Sequence, residues 1–85
     1  MAIKRMIEVW EKGADGGFVG RIELFPNLET ALLLQLFAGE QDRPDAEMLA
    51  AYWLDAAKCK ALQSYSPTLL DSEAFDYILS VTQVG

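Results

Sequence analysis

The chain has 85 residues, 52% of them hydrophobic, with one cysteine, no histidine and a formal net charge of −6. That apolar fraction excludes a disordered chain, and the length suits one domain, 1–85, with a core only just large enough to hold itself together. The acidic balance opposes binding to nucleic acid or to an anionic membrane, since both need cationic neutralisation, and favours a basic protein as partner.

The clearest local signal comes first. Ile3–Glu11 and Phe18–Phe25 are β-rich and flank Gly13-Ala14-Asp15-Gly16-Gly17, so the segment reads as a hairpin. With Asp15-Gly16 as a two-residue type I′ loop, Val9 pairs with Ile22, Ile7 with Leu24 and Trp10 with Arg21. Ile7, Val9, Ile22 and Leu24 then share one face, while Met6, Trp10 and Phe25 crowd the other. This register sets Glu8 against Glu23, a local misfit. Pro26-Asn27 ends the second strand. Asn27 is the expected N-cap of a helix of about ten residues through Phe37, with Glu29 in its first turn and Gly39 as its stop.

Residues 40–45 form a polar loop. Residues 46–54 fit two readings: one helix from Asp45, or a short extended Tyr52-Trp53-Leu54 followed by a helix that Asp55 caps. Both include a helix from Ala56 to about Tyr65. Ser66-Pro67-Thr68 breaks the chain, and Phe75–Val84 closes it as a strand that is apolar on both sides, hence central. The expected fold is α+β, in the order β-β-α-α-β. It has a three-stranded antiparallel sheet, made of the N-terminal hairpin and the C-terminal strand, with two or three packed helices.

The missing histidine removes the usual general base, the usual nucleophile activator and the commonest metal ligand. The glycines lie in a hairpin and precede no helix, so they make no phosphate loop. Cys59 sits at core spacing with Ala56 and Leu62, which favours a structural thiol despite the flanking Lys58 and Lys60. Asp42, Asp45 and Glu47 are spaced faintly like a calcium loop, but the sixth-position glycine and the terminal glutamate are missing. The expectation is therefore no enzyme, no cofactor and no metal. With a single cysteine and no apolar stretch after Met1-Ala2-Ile3-Lys4-Arg5-Met6, the expected compartment is the cytoplasm.

The charge is unevenly spread. Residues 1–25 sum to zero, so the whole acidic excess lies in residues 26–85. There the aromatics Tyr52 and Trp53 stand among Glu40, Asp42, Asp45, Glu47, Asp55, Asp71, Glu73 and Asp76. Rings supply buried area and carboxylates steer a basic partner, so these ten residues form the candidate binding set.

Lys4–Leu24 (KRMIEVWEKGADGGFVGRIEL) and Glu73–Leu79 (EAFDYIL) resemble the ends of short, acidic, histidine-poor bacterial proteins encoded beside toxins. In size and charge the chain is similar to immunity proteins of contact-dependent growth inhibition. That resemblance covers both ends and implies a role, not residues: tight inhibition of a cognate toxin, often a basic nuclease. The alternatives are a generic interaction domain or homodimer working through Met6, Trp10 and Phe25, and a small carboxylate enzyme or metal-binding regulator.

Overall fold

The computed structural model describes residues 2–13, 15–38 and 50–84. In chain order the elements are β1 (Ala2–Glu11), β2 (Phe18–Glu23), α1 (Thr30–Leu36), β3 (Tyr52–Leu54), α2 (Ala56–Leu62), a 3₁₀ turn (Gln63–Tyr65) and β4 (Phe75–Val84). The strands form one antiparallel sheet in the order β2-β1-β4-β3. The α+β class is as expected; the strand count is not. Tyr52–Leu54 is a fourth strand, and it resolves the ambiguity of residues 50–54 in favour of the extended reading. Three residues hold no strand alone; pairing with Tyr77–Leu79 of β4 supplies the ladder. β4 is central, between β1 and β3, as its two apolar sides require.

The hairpin register also differs from the expected one. Ile7 pairs with Ile22, Glu8 with Arg21 and Val9 with Gly20, a shift of two residues. A shift of two keeps every side chain on its face, so Ile7, Val9 and Ile22 still point to the core. It also places Glu8 opposite Arg21, which removes the Glu8–Glu23 misfit. The cause is a longer loop than Asp15-Gly16 alone. Gly13 takes φ 102°, Gly16 N–H donates to Gly13 O at 3.1 Å, and Glu11 N–H donates to Gly17 O at 2.9 Å. Between Val9 and Trp10 the register slips by one, leaving Val19 as an extra residue and pairing Trp10 with Phe18.

α1 is shorter than expected and starts later. Leu28 N–H donates to Phe25 O in a turn, and Leu28 itself is buried, so the helix begins at Thr30 with Glu29 as N-cap and no side-chain cap bond. Arg5 donates to Thr30 Oγ1 at 3.1 Å and ties that first turn to the sheet. α2 is capped as the extended reading of Tyr52-Trp53-Leu54 expects, with the Asp55 carboxylate accepting from Lys58 N–H at 2.9 Å.

The described helical elements pack on one face of the sheet. The core joins Ile7, Val9, Tyr77, Leu79 and Leu54 from the strands to Leu33 and Phe37 near α1, Cys59 and Leu62 on α2, and Leu24, Leu28 and Leu70 from the connections. Leu33, Phe37 and Leu62 are wholly buried, each worth roughly 1.5–3 kcal/mol by transfer from water. Gln63 organises the last loop: its amide donates to Thr68 O at 3.0 Å and accepts from Leu70 N–H at 2.7 Å. No buried side-chain polar atom lacks a partner among the described residues.

Candidate functional site

The other sheet face carries the candidate site. Strand alternation sets Met6, Glu8 and Trp10 of β1, Arg21 and Glu23 of β2, Asp76, Ile78 and Ser80 of β4, and Trp53 of β3 on this side. No described helix packs on it. Among the apolar side chains here Trp53 is the most exposed, at 66%, and in register it lies beside half-buried Ile78.

A second aromatic pair lies toward β2. Trp10 and Phe18 meet edge to face with centroids 5.2 Å apart, and the Arg21 guanidinium stands 5.2 Å over the Phe18 ring. Trp10 Nε1–H donates to Glu8 Oε1 at 3.2 Å, which fixes the indole on the sheet. Phe18 comes to this face only through the bulge. With Arg21 and Glu23 facing this way, alternation alone would send Phe18 to the core side, and the extra Val19 reverses it. Toward the other end of this face, away from Trp10 and Phe18, is a depression of about 380 Å³, lined in part by Met6, Glu8, Arg21, Ser80 and Thr82.

No family model, curated protein or solved structure matches this chain. The site is therefore read from its geometry.

The structure divides the ten candidate residues. Glu40, Asp42, Asp45 and Glu47 lie outside the described residues. Tyr52 and Trp53, adjacent in sequence, point to opposite faces. Tyr52 is half-buried with its ring 4.8 Å from that of Phe37, so it packs with the core and does not join Trp53 in one patch. Asp55, Asp71, Glu73 and Asp76 gather at the end of the sheet where β3 stops and β4 begins.

Those four acids are partly committed. Asp76 pairs with Lys12 at 3.0 Å, and Asp55 pairs with Lys58 at 3.3 Å as well as capping α2. The backbone bond from Lys58 is the main cause that holds the Asp55 carboxyl below the usual aspartate range. Asp71 shapes a turn: its N–H donates to the Tyr77 hydroxyl at 2.9 Å, and its carboxylate accepts from Glu73 N–H at 3.1 Å. Two ammonium groups thus stand among four carboxylates. Local charge at this end is weaker than the sequence count suggests.

Phe25, expected on the open face beside Met6 and Trp10, lies past the end of β2. It is 44% exposed and lines a separate cleft with Ile3, Lys4 and Leu28. Cys59 is buried beneath α2, and desolvation raises its thiol pKa, the opposite of what a reactive cysteine needs. Among the described residues there is no cluster of three or more His, Cys, Asp or Glu that could hold a metal, and no helix is long and apolar enough to cross a membrane.

Proposed function

We propose that this chain works by binding another protein, as an immunity protein that neutralises a cognate bacterial toxin domain of basic charge. The observation that carries the reading is the sheet face on which no described helix packs, with Trp53 66% exposed beside Ile78 and two residues before Asp55. A flat β face with a solvent-exposed indole offers what a protein contact uses best, a rigid aromatic anchor with charged groups at its rim. The net charge of −6 adds long-range attraction for a basic partner and repulsion of nucleic acid. On this reading the chain covers a toxin surface and performs no chemistry of its own.

The test is direct. The purified chain is titrated against a basic toxin domain encoded by the neighbouring gene, with association rates measured from low to high salt. A tight complex whose association slows steeply as salt rises supports the proposal. If no complex forms with such a domain, the toxin reading fails. If a complex forms at a rate indifferent to salt, its electrostatic part fails.

A further inference from the structure

Among the described residues β2 is an edge of the sheet, its ladder running to β1 on its inner side. Leu24 N–H donates to Arg5 O, so Arg5 and Leu24 form a hydrogen-bonded pair, and the alternation of the ladder makes Ile7–Ile22 and Val9–Gly20 bonded pairs too. The backbone groups of Arg21 and Glu23 consequently point off the edge, away from β1. Among the described residues the edge is closed past its end, where Phe25 N–H donates to Tyr65 O at 2.8 Å. The Val19 bulge limits it at the other end. Between these limits β2 has no proline and no charge turned toward the core, two common ways of blunting an edge.

Beside that edge, on the core side, runs an apolar groove of about 290 Å³ among Val9, Gly20, Ile22, Leu69 and Phe75. Gly20 leaves it open, since a Cβ there would touch nothing within 4 Å, and Leu69 overhangs it with 78% of its surface exposed. An unpaired edge next to an apolar groove is the geometry of strand addition.

We infer that the strand added is β2 of a second copy of this chain, antiparallel and centred on Ile22. Charge selects both the occupant and the register. A two-fold axis through Ile22 sets Arg21 opposite Glu23 of the other copy, and Glu23 opposite its Arg21, giving two cross-strand ion pairs. It also pairs residues whose N–H and C=O both point outward, so each pair exchanges two backbone hydrogen bonds. Centring on Arg21 would instead stack Arg21 on itself. The bulk charge does not forbid the meeting, because residues 1–25, which include β1 and β2, sum to zero within a chain of −6. The result is one eight-stranded sheet across the pair. Trp53, on the strand at the far edge, remains outside the contact.

Sedimentation of the chain alone, up to millimolar concentration, tests this independently of any toxin. The wild type should move from the mass of one chain to that of two as concentration rises. Arg21→Glu should remain a single chain, and the double variant Arg21→Glu with Glu23→Arg should recover the pair. Arg21→Pro provides a second arm: besides the guanidinium it deletes a backbone N–H that points outward and bonds nothing in β1, so circular dichroism should stay native while the pair is lost. A wild type that stays at one chain throughout overturns the proposal, as does a dimer that survives both Arg21→Glu and Arg21→Pro. Failure of the double variant to recover the pair overturns the Ile22-centred register.

Discussion

Trp53→Ala separates a binding anchor from a core residue. A tryptophan presents up to about 250 Å² of side-chain surface. With Trp53 66% exposed, about 165 Å² remains for a partner to cover and about 85 Å² leaves water on folding. At ~25 cal/mol per Å², the portion lost on folding is worth at most ~2 kcal/mol, whereas the portion a partner could cover is worth up to ~4 kcal/mol, or ~2 if half is covered. The variant should therefore fold with native circular dichroism and a urea midpoint only modestly lowered. Its Kd for a basic toxin domain of the kind proposed above should rise by roughly 30- to 900-fold, since each ~1.4 kcal/mol is a factor of ten. Two results would refute the reasoning. A folding loss above about 3 kcal/mol would make Trp53 a core residue. An unchanged Kd would move the contact off the open face.

Other outcomes follow from local geometry. Gly16→Ala would drive its Cβ into the Glu11 carbonyl, so it should cost about 1–3 kcal/mol in urea denaturation, while Gly17→Ala meets only the movable Glu11 carboxylate and should cost much less. Asp55→Ala should destabilise α2 at neutral pH. Because the folded carboxyl is held below its unfolded range, the stabilisation is present above about pH 4 and lost as pH falls through the lower folded value. The urea midpoints of wild type and variant should thus converge in acid, and a gap that persisted there would sink the capping assignment. Cys59 should react slowly with an aromatic disulfide reagent at pH 8 and fully after unfolding in urea; rapid reaction of the native protein would contradict its burial.

Local and periodic signals were legible in the residues alone. Alternation identified β1 and β2 and put Ile7, Val9, Ile22 and Leu24 on one core face, because side-chain direction has a period of two whatever the pairing partner. A helix over Ala56 onward was legible on either reading of residues 46–54, but only the structure shows that it starts there, with Asp55 bonding its first turn. α1 was placed but not bounded, because Leu28 is as apolar as a helical residue yet is drawn into the core by a turn.

What the tertiary structure decided is the composition of the open face. Tyr52-Trp53-Leu54 is too short to reveal its state, and only the ladder to β4 makes it a strand, sending Tyr52 inward and Trp53 outward. The Val19 bulge turns Phe18 to that same face, and β2 ends at Glu23, which leaves Phe25 beyond the strand. Both outcomes depend on which residues meet across strands distant in sequence. Such pairing is settled by the burial and hydrogen bonding of the whole sheet, and no local propensity encodes it.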